Sequence, residues 1–208
     1  IREYSQALRA QTHEYSNKLH TLAGLIQIGA TKEALELIGR ESSGYNALLR
    51  QLSDQIQDPF LSAIIVGKYH RAMELKTELA LDSESWMSNI GHSSRSEKIV
   101  TILGNLLENA LEASASSAEQ KKVCLSMTDV GNELIFEVED SGSGISEDQQ
   151  KSIFDEGFTT KTGTGRGIGL QLVQKNLIQL EGHLTVGESS LGGARFTAYI
   201  PKTVSKEE

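Results

Sequence analysis

At 208 residues the chain holds about 1.4 domains of roughly 150 residues, long for one small domain and short for two of average size. With 38% apolar and 23% charged residues it can bury a core, which excludes a disordered chain. Its net charge of −8 excludes general nucleic-acid binding, which needs a basic face. The single cysteine, Cys124, cannot form an internal disulfide and reads as a cytosolic-type thiol. No apolar run reaches the roughly 18 residues of a membrane span, and no signal peptide opens the chain. A helical pattern is already under way at Ile1, so the chain reads as a soluble fragment of something longer.

Residues 1–29 carry Leu8, Thr12, Tyr15, Leu19, Leu22 and Ile26, spaced alternately by four and three, the stripe of a helix that packs in a bundle. Thr31 offers a cap for a second helix, Lys32 to about Gln57, whose stripe is Ala34, Leu35, Ile38, Tyr45, Leu48, Leu49, Leu52 and Ile56. The pair predicts an antiparallel hairpin. A lone hairpin covers only part of these stripes, and pairing two into a four-helix bundle predicts a homodimer.

After Asp58-Pro59 the pattern is mixed. Of 19 glycines, 12 lie from Gly131 onward against four in residues 1–60, so turns and strands belong to the later part. Helices are predicted over Phe60–Glu74, Ser96–Ser114, Glu147–Phe154 and Ile168–Leu180. Strands are predicted over Lys76–Leu81, Lys122–Met127, Glu133–Glu139, His183–Glu188 and Ala194–Ile200, with a hairpin turn at Asp129–Asn132. A sheet covered on one face by helices is the economical arrangement.

Four groups of residues bear on chemistry. On the first helix, His13 points away from the apolar stripe, with Glu14 beside it and Asn17 one turn on. A neutral imidazole is a nucleophile near pH 7 that an adjacent carboxylate can orient and deprotonate, although the same residues also suit an ordinary exposed helix face. On the helix Ser96–Ser114, Asn105 and Asn109 lie one turn apart opposite the apolar stripe, with Glu108 and Glu112. Amide oxygens there suit Mg²⁺, and a solvated polar face is the alternative. Asp140-Ser141-Gly142-Ser143-Gly144 places a carboxylate at a strand end beside a close-approach turn, able to accept from an exocyclic amine or simply to close a turn. Lastly, Gly163-Thr164-Gly165-Arg166-Gly167-Ile168-Gly169-Leu170 sets glycine at every second position before a helix, where backbone N–H groups can cradle phosphate. It fits neither the dinucleotide fingerprint nor a P-loop.

Taken in order, these motifs resemble the transmitter region of two-component sensor histidine kinases. His13 begins the phosphoacceptor motif, Asn105–Asn109 resembles the N box, and Asp140–Gly144 the D-x-G-x-G box. Phe154–Phe158 resembles the F box, Gly165–Gly169 the second glycine box, and Gly192–Phe196 the last-strand glycine signature. The wording around His13 and the step Asp58–Lys68 are most similar to the citrate and C4-dicarboxylate sensor kinases.

The resemblance implies an α+β chain. Residues 1–58 would form a helical hairpin for dimerisation and histidine phosphotransfer, completing a dimeric four-helix bundle. Residues 59–208 would be an α/β sandwich ATP-binding domain of the GHKL (Bergerat) type. It further implies that His13 accepts the γ-phosphoryl group of ATP with Glu14 as general base, and that Asn17 positions the water that hydrolyses a phosphorylated response regulator. Asn109 would ligate Mg²⁺ with Asn105 nearby, and Asp140 would hold the adenine amine beside Gly142 and Gly144. Residues 157–169 would form a lid, with Phe158, Thr160, Lys161, Gly165, Arg166, Gly167, Gly169 and the adjoining Leu170 around the nucleotide. Two departures stand out: Arg166 replaces a common threonine, and Glu112-Ala113 stands where a basic residue commonly follows the N box. Phosphate charge would then rest on Mg²⁺, Lys161 and Arg166. Implied partners are a second copy of the chain and a response-regulator receiver domain, with no nucleic acid and with the membrane reached only through preceding segments. The implied location is the cytoplasmic side of a membrane sensor. An ATP-hydrolysing enzyme of the same nucleotide fold and a non-catalytic ATP-binding scaffold are the rival readings.

Overall fold

The structure, a computed structural model, describes residues 23–33, 43–91, 93–117, 120–146 and 168–202. The chain divides into two compact units, Ile1–Asn46 and Ala47–Glu208.

In the first unit, residues 23–27 and 31–33 are helical around a turn at residues 28–29. Gly29, at φ +76°, ends the first of these helices. Its N–H donates to Ile26 O (3.1 Å) and the N–H of Ala30 to Leu25 O (2.8 Å), the paired bonds of a Schellman turn. The expected break between two helices is therefore where the sequence places it. The next helix starts at residue 31, so Thr31 lies inside it rather than capping it.

The second unit contains helices α1 (Ser43–Gln55, whose first four residues belong to the first unit), α2 (Pro59–Glu74), α3 (Ser94–Ala115) and α4 (Ile168–Gln179). Its strands are β1 (Glu78–Leu81), β2 (Lys122–Thr128), β3 (Glu133–Asp140), β4 (His183–Glu188) and β5 (Ala194–Pro201). They form one sheet in the order β1-β2-β3-β5-β4, with β1 parallel to β2 and every other pair antiparallel. The parallel pair requires a crossover, and α3 lies within it.

Local chemistry explains the helix ends. Asp58, fully buried, caps α2 by accepting at Oδ1 from Phe60 N and Leu61 N (both 2.9 Å), and Pro59 follows at a position that needs no N–H. Its Oδ2 accepts from Ile90 N (3.1 Å), so the same carboxylate pins the loop before α3. Ser93 and Ser96 form a reciprocal capping box on α3. Helices α2 and α4 both end on a non-glycine residue in the left-handed region, Lys76 (φ 53°) and Glu181 (φ 55°). The turn at Lys76 explains why β1 starts at Glu78 and not at Lys76 as expected.

The core lies between the helices and one face of the sheet. Val123, Leu125 and Met127 of β2 alternate inward with Leu134, Phe136 and Val138 of β3, and Phe196, Ala198 and Ile200 of β5. They meet Ile99, Ile102, Leu103, Leu106, Leu107 and Leu111 of α3, Leu61 and Ile65 of α2, and Val173 and Leu177 of α4. The buried stripe of α3 runs from Ile99 to Leu111 and includes Ile102, with Val100 only partly buried at its edge. Leu48, Leu52 and Ile56, assigned from sequence to the hairpin, pack in this core. Gln51 Nε2 donates to Leu81 O (2.9 Å), and Ile56 bridges to Met87. The predicted helix Glu147–Phe154 lies outside the described residues.

Candidate functional site

Helix α3 is the backbone of the site. Asn105, Asn109 and Ala113 recur every four residues and so share one face. From Asn105 to Ala113 that face runs for about 12 Å at 1.5 Å per residue.

At one end stands Gly169, near the start of α4. A Cβ added to Gly169 would stand 3.1 Å from Asn105 Oδ1 and 3.7–3.8 Å from the Asn109 amide atoms. Both asparagines and the end of the glycine loop are therefore brought together. Asn105 donates from Nδ2 to Thr101 O (2.7 Å), which fixes the amide with its Oδ1 beside Gly169. Leu170, the next residue, turns its partly buried side chain against the core.

At the other end Ala113 meets the turn after β3. A Cβ on Gly142 would lie 2.8 Å from the Ala113 Cβ, so only glycine lets the turn approach the helix this closely. Asp140, 3% exposed, accepts at Oδ1 from Gly142 N (2.8 Å) and Ala194 N (3.1 Å). Its carbonyl accepts from Gly193 N (3.1 Å). Gly144, at φ +72°, sits beside the Gly193 carbonyl. The D-x-G-x-G turn and the Gly192-Gly193 turn, 50 residues apart, thus form one structure that holds the Asp140 carboxylate in place.

Glu108 departs from expectation. It does not lie on a solvated face: Lys68 Nζ (2.6 Å) and Arg71 Nε (3.1 Å) of α2 bind its two carboxylate oxygens. Burial works to raise its pKa, but the hydrogen bonds and charges of Lys68 and Arg71 prevail and hold it below the ordinary glutamate value. The residue next to Asn109 is thereby tied to α2. Cys124 sits on the opposite, polar face of the sheet, where burial and then the charges of Asp82 and Glu139 push its thiol up, away from a reactive thiolate.

Sequence reasoning missed the pairing of Glu108 with Lys68 and Arg71, and the serine contacts between α3 and the Asp140 turn. A signal for the latter was present: Ser114 follows Leu107 and Leu111 on the buried stripe, an apolar position filled by a hydroxyl. His13, Glu14, Asn17, Phe158, Thr160, Lys161, Gly165, Arg166 and Gly167 lie outside the described residues.

The neutral side-chain amide oxygens of asparagine suit Mg²⁺, which keeps waters and substrate phosphates in its shell. Among the described residues no group of three or more His, Cys, Asp or Glu side chains could hold a metal ion by itself. The donor set at Asn105 and Asn109 fits an ion brought in with phosphate. No described helix is long and apolar enough to cross a membrane.

Comparison with known proteins accords with this geometry. The family described as histidine kinase-, DNA gyrase B-, and HSP90-like ATPase matches residues 94–204, and the sensor-kinase SpoOB-type alpha-helical domain matches residues 1–47. The chain is 44% identical over its whole length to the sensor protein CitS of Halalkalibacterium halodurans, covering 39% of that protein. It is 35% identical, over 98% of its length, to the sensor histidine kinase CitA of Klebsiella pneumoniae, covering 37% of it. The chain thus spans about two fifths of these curated relatives. Among solved structures, the catalytic domain of histidine kinase ThkA aligns with TM-score 0.58 at 24% identity, over 69% of this chain and 91% of that one. That likeness concerns the fold, which is the fold expected from sequence: one mixed sheet with helices on a single face. Fold, glycine turns and family match agree: the chain belongs to the histidine kinase-, DNA gyrase B-, and HSP90-like ATPase family.

Proposed function

We propose that the chain is the catalytic core of a sensor histidine kinase of the citrate and C4-dicarboxylate type. It would phosphorylate His13 from ATP and pass the phosphoryl group to an aspartate of a response regulator. The observation that carries this reading is the single face of α3, with Asn105 and Asn109 beside Gly169 at one end and the braced Asp140 turn at the other. A nucleotide laid along that face has its adenine amine at Asp140 and its phosphates at the asparagines and the glycine loop. Residues 1–58 would supply dimerisation and the histidine, and residues 59–208 the nucleotide site. A second copy of the chain completes the bundle, and the chain works on the cytoplasmic side of a membrane sensor.

In-line phosphoryl transfer needs positioning and charge neutralisation more than covalent help. Glu14 accepts the imidazole proton as a ring nitrogen of His13 attacks the γ-phosphorus. The bond to the bridging oxygen then breaks and ADP departs. Asn109, with Asn105, would hold Mg²⁺, which neutralises phosphate charge when bound. Lys161 and Arg166 are the lid cations that would face the phosphates, within a lid of residues 157–169 that also includes Phe158, Thr160, Gly165 and Gly167. Asn17 would orient the water in the reverse, phosphatase reaction. Asn105 also bears on the rival hydrolase reading. A neutral amide donating to Thr101 O has no proton-accepting carboxylate with which to activate water.

Calorimetric titration with ATP, with and without Mg²⁺, tests the site. Asp140→Asn keeps an Oδ1 acceptor for the turn but turns a donor toward the adenine amine, so ATP affinity falls at least about tenfold under both conditions. Asn109→Ala removes the enhancement by Mg²⁺. Wild-type affinity in both variants would overturn the assignment.

A further inference from the structure

Ser114 and Ser141 form a buried clip at the adenine end of the site. Ser114, fully buried in the last turn of α3, donates from Oγ to Lys122 O (2.9 Å) and accepts from Ser141 N (3.1 Å). Ser141, between Asp140 and Gly142 and 5% exposed, accepts at Oγ from Lys122 N (2.9 Å). Its hydroxyl lies 2.6 Å from Gln120 O and 3.2 Å from Ser114 Oγ. With one proton to give, the shorter contact is the bond. Each hydroxyl therefore donates once and accepts at least once, and the pair leaves no buried polar atom of its own unsatisfied.

Three elements meet here: the end of the helix that carries Asn105 and Asn109, the start of β2, and the peptide directly after Asp140. The Ala113–Gly142 contact sets how closely helix and turn approach. It is apolar and has no directional preference, so by itself it does not fix where along the helix the turn sits; the backbone bond from Ser141 N to Lys122 O (3.1 Å) ties the turn to β2 and not to α3. The bond from Ser141 N to Ser114 Oγ, and those joining Ser141 Oγ to Gln120 O and Lys122 N, are directional. We propose that Ser114 and Ser141 are positioning residues for base recognition, fixing the Asp140 peptide against α3 and holding the adenine and phosphate ends of the site in register. The inference rests on the reading of Asp140 as the adenine anchor.

The test is a double-mutant cycle on the 208-residue chain, read as affinity for ATP and as preference for ATP over GTP at a temperature where every variant is folded. Ser141→Ala, which removes the bonds to Gln120 O and Lys122 N, should weaken ATP at least about tenfold and lower the preference by a similar factor. In the Asp140→Asn background the same change should have no further effect, because the clip acts through that carboxylate. Ser114→Ala should behave like Ser141→Ala, and Ser114→Thr, which keeps the hydroxyl, should recover the affinity. Should Ser141→Ala fail to fold, Ser114→Ala carries the same cycle. Additive effects in the double variant, or wild-type nucleotide preference in both alanine variants, would overturn the proposal. If Asp140→Asn alone leaves ATP binding and preference unchanged, the anchor reading itself is wrong, and the role of the clip in base recognition falls with it.

Discussion

Replacing Gly193 with alanine puts a Cβ into space already held by the Asp140 turn. The added atom would stand 2.5 Å from both Asp140 O and Gly142 N, and closer still to Asp140 Oδ1. Two of these are backbone atoms that cannot swing aside, so the start of β5 must retreat. That retreat breaks the bonds from Gly193 N to Asp140 O and from Ala194 N to Asp140 Oδ1, both 3.1 Å. Two displaced hydrogen bonds cost about 2 kcal/mol, and forced overpacking adds roughly 1–3 kcal/mol. The reduced freedom of the unfolded chain returns about 0.4–1 kcal/mol. The net loss is about 2–5 kcal/mol, a large part of a typical stability of about 5–15 kcal/mol. Urea unfolding followed by the single tryptophan, Trp86, whose backbone N–H donates to Met127 O on β2, measures it. ATP affinity should fall with stability, since Asp140 loses its brace. Gly192→Ala is the control: its φ of +92° makes alanine strained, but no atom lies within 4 Å of the added Cβ. It should cost about 1–2 kcal/mol and leave ATP affinity unchanged. A wild-type urea midpoint for Gly193→Ala would refute the reasoning.

Glu108→Gln removes the charge that Lys68 and Arg71 hold. Because the folded pKa of Glu108 is depressed, its contribution is complete above the ordinary glutamate value of 4.5 and disappears as the pH falls through the lower folded value. Urea midpoints of wild type and variant should therefore differ at neutral pH and converge in acid; a gap that persists there would contradict the pairing. Gly169→Ala meets a side-chain amide rather than backbone, so the Asn105 side chain can yield by a few tenths of an ångström. Stability should change by less than about 1 kcal/mol while Mg²⁺-dependent ATP affinity falls several-fold, and a fall in stability as large as that of Gly193→Ala would be the contrary result.

Elements whose signals are local were legible in the sequence. The alternation of Leu134, Phe136 and Val138 sets β3, the stripe from Ile99 to Leu111 sets α3, and Asp58-Pro59 marks the start of α2 within a residue. Local too is the glycine pattern of Asp140–Gly144, because the close approach it permits needs glycine whatever it approaches. Contacts between distant segments were not legible. Glu108 looks like any polar helix residue until Lys68, 40 residues away, is packed against it. Gly193 has no visible reason to be glycine until β5 pairs with β3 and brings it onto Asp140. The left-handed ends at Lys76 and Glu181 were also hidden, since neither residue type announces that conformation. The stripe of α1 correctly marked Leu48, Leu52 and Ile56 as buried, but by sequence they belong to the helical hairpin, whereas they pack in the core of the second unit.

Phosphorylation of His13 is tested by incubation with γ-labelled ATP and Mg²⁺, wild type beside His13→Gln. A protein-bound phosphoryl group that is labile in acid, stable in alkali and missing from His13→Gln is the expected result. Label that persists in His13→Gln, or rapid release of inorganic phosphate with no labelled protein, would contradict it.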